Sequence, residues 1–350
     1  MDALIRIVIV LFSLTLLVVF FKSVITVTLL TKHRNDPISR FMTRLLWRIF
    51  RRFLPKEQLA IDRRMIWFWP ITPFIGMATW FVLVTIAYTG FYHTTHAEPT
   101  WTDSFIASGS ALSTLGFRSP SSLRGELVTI TEGAFGLFIV VYMLTFIPGW
   151  LSVQQFRERK VAWIYSRAGN PATGVGLVEW YCRNKQASDL SAVWADCESW
   201  FRDLGEMHAQ SPALVWARSS PPGVYWVTAV GALLDATALS TTCLTTAHTA
   251  ESRICLRTGI ESIDAIVVSL GVSGTNSLRH LPDIELTRAD FDLAIARLRA
   301  ANAPINEDLD ASWTAFSELR REYRHIIVLL EQTTVSPSSG FLPSIGDQST

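Results

Sequence analysis

The stretch Ser113-Thr114-Leu115-Gly116-Phe117-Arg118 is the part of this 350-residue sequence whose residue types point to a specific chemistry. A threonine hydroxyl, a glycine and two apolar side chains make neither a nucleophile nor a proton relay. Their usable groups are oxygens: the Thr114 hydroxyl and the carbonyls of an irregular backbone. Such oxygens replace the hydration shell of a cation when they converge on it. Just before them lies a run of small residues, Ala107, Ser108, Gly109, Ser110 and Ala111, suited to a short helix over 104–113 that approaches its neighbours closely. Thr102 or Asp103 is expected to cap it. Segment 102–123 is too short and polar to cross a bilayer and too apolar for an exposed loop. It is expected to dip into the membrane and return, with residues 113–117 extended. Irregular backbone at that depth must face protein or a water-filled cavity.

Other chemistry is hard to assemble. There is no dinucleotide-binding glycine signature, phosphate loop, zinc spacing or nucleophile–base series. Gly259, Gly271 and Gly274 read as helix breakers, and His208, His248, His280 and His325 are scattered as structural or exposed groups. Cys182, Cys197, Cys243 and Cys255 form no Cys-x-x-Cys pair and read as buried free thiols of a reducing compartment. No enzyme, cofactor or resident metal is expected; the only metal would be a transported monovalent cation such as potassium.

The elements that must position the loop are apolar helices. Hydrophobic residues make up 49% of the chain and charged residues 17%, which excludes a disordered chain and disfavours a purely soluble one. Residues 7–30 form an apolar run interrupted by Lys22; at 1.5 Å per residue they span about 36 Å, enough to cross a bilayer with tilt. This reads as a retained transmembrane helix rather than a cleaved signal. A second run, 65–91, has no charged residue; Pro70 and Pro73 lie near its start, and Trp67, Trp69, Tyr88 and Tyr92 flank it as interfacial anchors. A third, 127–147, carries the single charge Glu132 and is expected to end at Pro148-Gly149. Glu132 is a candidate support behind the loop, through Arg118, Arg124 or hydroxyl groups, or an ion contact.

Charge is spread unevenly. Residues 1–64 carry 12 basic and 4 acidic groups, a net of +8; residues 65–149 carry 2 and 4, a net of −2; residues 150–350 carry 17 and 22, a net of −5. Ten of the basic groups lie in 32–64, between the first two apolar runs. This places the 32–64 segment in the cytoplasm, the N-terminus outside and residues 150–350 in the cytoplasm of a bacterial inner or plasma membrane. Within it, 38–53 is amphipathic and is expected to lie along the inner lipid surface as a topology anchor or a coupling element. Lipid explains this charge, so no nucleic-acid partner is expected.

Residues 65–147 resemble the outer helix, pore helix, filter and inner helix of the tetrameric potassium channel family. Thr114-Leu115-Gly116-Phe117 matches the first four positions of that family's Thr-x-Gly-Tyr/Phe-Gly-Asp filter. The resemblance implies that Thr114 supplies an oxygen at the cytoplasmic end, that Leu115, Gly116 and Phe117 supply carbonyls, and that four copies surround the ion path. It also implies that Pro120 is the post-filter proline, that Gly125 opens the inner helix and that Gly133 or Gly136 acts as its hinge. Arg118 and Ser119 stand where the family has its second filter glycine and its aspartate. The single-glycine run is also similar to the filters of Trk/Ktr-type potassium transporters, which carry four units in one chain where this chain has one. Arg118 would either face the outer mouth and repel cations or pair with Glu98, Asp103, Glu126 or Glu132 behind the filter.

The remainder reads as helical. Residues 150–167 continue the inner helix until Gly169-Asn170-Pro171. Helices are expected over 177–204, as one or two, and over 225–244, 252–269, 286–301 and 306–333, with Thr287 and Asp290 as a capping box. Asp235, Ser240, Thr241 and Thr242 mark 225–244 as a buried soluble helix rather than a fourth crossing. The expected fold is mainly α: three transmembrane helices with a re-entrant pore helix and filter loop, plus a mostly helical cytoplasmic domain. Its parts are a transmembrane helix in 1–31, a basic linker in 32–64, a pore module in 65–149 (outer helix 65–91, pore helix and filter 102–118, inner helix 127–147), a helical domain in 150–333 and a loose tail in 334–350. The expected function is a passive, homotetrameric cation channel in a lipid bilayer, gated by its inner helices and a cytoplasmic domain of unknown ligand. The alternatives are a noncatalytic membrane sensor or assembly protein with a degenerate pore loop, and a cation-transport component that needs another subunit.

Overall fold

The computed structural model describes residues 2–28, 37–245, 249–271 and 286–342; His248, His280 and Gly274 lie outside them. The chain is mainly α-helical, with no β-sheet among the described residues. Three helices are long and apolar enough to cross a membrane: α1 (Asp2–Thr28), α4 (Phe68–Thr94) and α6 (Leu123–Ala168). Between them lie the amphipathic α2 (Pro37–Arg52), the short α3 (Gln58–Met65) and α5 (Trp101–Leu112).

The chain divides into two compact units. The first comprises Met1–Arg52 and Pro70–Ser152. Its core joins Phe20 and Val24 of α1, Trp80, Val84, Tyr88 and Tyr92 of α4, Ala107 and Leu112 of α5, and Ile139 and Met143 of α6. Aromatic edges knit it, with Phe20 at 6.1 Å from Trp80 and 5.7 Å from Phe135. In lipid, apolar transfer gives little drive for helix association, so such interdigitation and close backbone approach must hold the bundle together. Gly136 supplies one such approach: a Cβ there would overlap the Leu112 carbonyl at the end of α5. Tyr88 and Tyr92 are therefore core residues, not the interfacial anchors their position suggested. The Tyr92 hydroxyl lies 2.9 Å from Thr129 Oγ1 of α6, a polar tip satisfied inside the bundle.

The second unit comprises Phe53–Trp69 and Val153–Thr350. Its helices are the end of α6, α7 (Gly174–Arg183), α8 (Leu190–Gln210), α9 (Trp226–Cys243), α10 (Thr249–Ser269), α11 (Arg288–Ala300) and α12 (Leu309–Thr334). Residues 177–204 do form two helices, broken by a 3-10 turn at Ala187–Asp189. α9 is the centre of the unit, packed by α7, α10 and α12 and buried on every side. That explains its all-round apolarity without a membrane. Its one acid, Asp235, accepts from Tyr323 Oη at 2.6 Å and Arg320 Nε at 3.1 Å. Thr287 and Asp290 form the capping box at α11.

The inner helix continues past Pro148-Gly149 through the 150–167 stretch, so that α6 runs 46 residues to Ala168. Pro148 lacks the N–H that would bond to the Leu144 carbonyl, a gap that membrane helices tolerate; one turn further on, the Ser152 hydroxyl donates to the Pro148 carbonyl at 2.8 Å. Trp69 is buried rather than interfacial, in the second unit. The tail after Thr334 is not loose as far as Leu342: Ser339 N–H and Oγ donate to Glu331 Oε1, Arg324 donates to Ser338 and Ser339, and the Phe341 ring packs tilted against Phe316 at 5.5 Å. Buried arginine and glutamate on α12 recruit the serines, a pairing that serine-rich composition conceals.

Candidate ion-path loop

α5 is the platform of the loop. Its cap is Thr100, not Thr102 or Asp103: Thr100 Oγ1 accepts from Asp103 N–H at 3.0 Å and donates to Asp103 Oδ2 at 2.6 Å. Asp103 sits at N3, where a carboxylate also complements the helix dipole. Ser104, Ala107, Ser108, Ser110, Ala111 and Leu112 are buried.

Past Leu112 the backbone turns back on the helix end. Thr114 N–H bonds to Ala111 O at 3.0 Å, and Gly116 N–H bonds to Ser110 O at 3.2 Å. Thr114 has φ +58° and Gly116 φ +66°. Residues 113–117 are thus not extended, as the sequence suggested. With positive φ at both positions, successive peptide groups do not alternate sides as in a strand. Gly116 adopts this φ at no steric cost; Thr114, β-branched, is held there against its preference.

Among the described residues, none of the carbonyls of Ser113, Thr114, Leu115, Gly116 or Phe117 accepts a hydrogen bond. The same five residues are exposed, Leu115 at 73% and Phe117 at 66%. Arg118 ends this stretch abruptly. Its N–H donates to Ser110 Oγ at 2.9 Å, and its carbonyl accepts from the same hydroxyl at 3.2 Å. Its guanidinium folds back onto Glu98 and Asp103, with Nη2 at 2.6 Å from Glu98 Oε2 and Nη1 at 2.9 Å from Asp103 Oδ1. Of the four acids that could have held it, these two do; Glu126 is exposed in the first turn of α6 and Glu132 is engaged elsewhere.

Glu132 lies fully buried on α6. Its Oε1 is 2.5 Å from Ser108 Oγ, which is also 3.1 Å from the Thr85 carbonyl of α4. One carboxylate and one serine thus tie α4, α5 and α6 together behind the loop. Glu132 Oε2 has no hydrogen-bond partner among the described residues. Of the two hinge candidates, Gly136 meets the end of α5, while a Cβ on Gly133 would stand 3.8 Å from Ala111 O, an ordinary contact. Gly125 is filled around by Pro120 and Ala97.

Sequence reasoning missed the two serines as polar anchors. Small size is the only property of Ser108 and Ser110 that the sequence reading uses; the usable signal is that hydroxyls on a buried helix need acceptors. It also missed Asp62 of α3, which accepts from Tyr225 Oη at 2.6 Å and faces Arg218 Nε at 3.3 Å. Burial, with Asp62 adding to it, pushes the Tyr225 hydroxyl up to about 12. Gln58 Nε2 also donates to the Val335 carbonyl. The second unit therefore contains both the residues that lead into α4 and the last turns of α6.

In the second unit the thiols are buried, and burial raises Cys197 to about 12 and Cys243 to about 11. His325 is half-buried and His208 buried. Among the described residues no cluster of three His, Cys, Asp or Glu could hold a metal ion.

The fold is that of a membrane-embedded, largely helical protein, consistent with a channel-like or transporter-like architecture. No protein-family model, curated protein or solved structure matches the chain.

Proposed function

We propose that the chain is one subunit of an oligomeric cation channel, with four copies meeting at residues 113–117. The observation that carries this reading is the row of carbonyls from Ser113 to Phe117 without partners among the described residues, between two spanning helices. Backbone oxygens at membrane depth need partners, and a single helix-loop-helix unit cannot enclose water. Copies around an axis supply the enclosure, and partly dehydrated cations supply the charge. Arg118 is turned onto Glu98 and Asp103, which neutralises the cation that would otherwise stand one per subunit at the mouth. The likeness of Thr114-Leu115-Gly116-Phe117 to a potassium filter makes potassium the first ion to test. The ten basic residues of 32–64 favour an outside N-terminus and a cytoplasmic second unit. Because that unit holds the entry to α4 and the exit of α6, its movement would reach both walls of the pore module.

Reconstitution in liposomes tests the proposal. Cation flux that changes with Gly116→Ala is expected, and an image along the membrane normal is expected to show four equivalent loops at an axis. Lack of flux across lipids, voltage and pH would favour the second reading, a sensor or assembly protein. Arg118 in place of the second filter glycine favours that reading. Flux that appears only with an added protein would instead select a transport component.

A further inference from the structure

Glu132 is 0% exposed and lies deep in the first unit. Its partner Ser108 also contacts the Thr85 carbonyl. Thr85 is level with the middle of α1, because Trp80 meets Ser23 and Gly90 meets Ser13 on either side of it. At the helical rise per residue, that level is about 15 Å from the Thr28 end of α1.

Ser108 Oγ is the decisive atom. It stands 2.5 Å from Glu132 Oε1 and 3.1 Å from the Thr85 carbonyl oxygen. A serine hydroxyl has one hydrogen to give. The Thr85 carbonyl, which also takes Thr89 Oγ1 at 2.7 Å, can only accept, so the hydrogen of Ser108 belongs to that contact. The closer contact to Glu132 then needs a hydrogen of its own, and the carboxyl group can carry it. Two oxygens at that distance have a hydrogen between them. Tyr92 does not supply it. Thr129 Oγ1 donates to the Gly125 carbonyl at 2.9 Å, so the Tyr92 hydroxyl donates to Thr129.

Electrostatics point the same way. Arg118 is committed to Glu98 and Asp103. Oε2 makes no hydrogen bond among the described residues, which costs a buried carboxylate far more than the carbonyl oxygen of an acid. We propose that Glu132 is a proton-binding site, held as a carboxylic acid that donates to Ser108, which in turn donates to Thr85. The tie between α6, α5 and α4 is then a one-way chain of donors that ends on a carbonyl and places no formal charge behind the loop. The site does not depend on whether residues 113–117 conduct.

Infrared difference spectroscopy of the full chain in detergent at neutral pH tests it. Subtracting Glu132→Gln from the wild type should leave a carboxylic-acid C=O band that shifts in heavy water. Ser108→Ala removes the acceptor and should shift the same band without abolishing it, a comparison that stands even where Glu132→Gln does not fold. Loss of carboxylate bands in Glu132→Gln, in place of the acid band, overturns the proposal. So does a spectrum of Ser108→Ala in which no acid band has moved.

Discussion

Arg118 reaches back 20 residues to Glu98 and grips both carboxylate oxygens, Nε to Oε1 at 3.2 Å and Nη2 to Oε2 at 2.6 Å. A planar fork against a carboxylate fixes direction as well as charge. The fork sets where the 113–117 backbone ends. Glu98→Gln or Arg118→Gln is therefore expected to lower cation flux by roughly tenfold through misplacement of the loop. The exchanged pair, Glu98→Arg with Arg118→Glu, should recover part of it. Flux recordings on the three variants check this, and equal losses in single and double variants would count against it.

Ser110 holds the same loop from the other side. Ser110→Ala leaves the Arg118 N–H and carbonyl without their shared hydroxyl, in a place where Ser110 is fully buried. The expected cost is about 1–3 kcal/mol, read as a lower unfolding midpoint in detergent. Ser110→Thr keeps the hydroxyl and should keep more of the stability.

The two glycines of α6 should separate clearly. Gly136→Ala places a methyl into the Leu112 carbonyl and is expected to cost about 1–3 kcal/mol. Gly133→Ala finds its nearest neighbour at 3.8 Å and should be neutral or slightly stabilising, since alanine is the better helix former. Thermal unfolding of both variants tests this.

Asp62 pairs with Arg218 and receives the Tyr225 hydroxyl in the second unit. Asp62→Ala strands a buried arginine, and breaking such a pair costs about 3 kcal/mol. Hydrogen exchange should rise first in Gln58–Met65, the helix that carries Asp62. If the second unit gates the pore, the same variant should change open probability while leaving the conductance of a single open channel intact.

His208 makes the second unit acid-sensitive. Its Nδ1–H donates to the Leu204 carbonyl at 2.8 Å, Nε2 has no partner among the described residues, and Arg157 stands nearby. Burial, and then the Arg157 charge, lower its pKa to about 3 from an ordinary 6.5. The unfolded chain therefore binds a proton that the fold rejects. This contribution to stability is complete above about pH 6.5 and is lost as pH falls towards 3, by up to about 1.4 kcal/mol per pH unit. Unfolding midpoints of wild type and His208→Gln across that range should converge as pH falls. Parallel pH profiles would show that His208 is not the group responsible.

The sequence alone was enough for what depends on local pattern. Three apolar runs of membrane length, the amphipathic 38–53 segment and the capping box at Thr287 and Asp290 follow from side-chain type and helical period. They appear as α1, α4, α6, α2 and the start of α11. The burial of 225–244 was legible too, because a helix apolar all round but broken by Asp235 needs an enclosing protein rather than lipid.

Tertiary structure decided what depends on residues far apart in the chain. Whether Arg118 pairs with Glu98, Asp103, Glu126 or Glu132 is a choice among acids of equal chemistry, made by the turn of backbone after α5. That turn gives φ +58° at Thr114, which a β-branched residue resists, so local preference pointed to an extended strand instead. Tyr88 and Tyr92 looked like surface anchors because composition does not say which face of a helix meets another helix. The roles of Asp62 and of the serines at 336–339 arise from partners many residues away. Local free energies of one segment carry no term for them until the rest of the chain has packed.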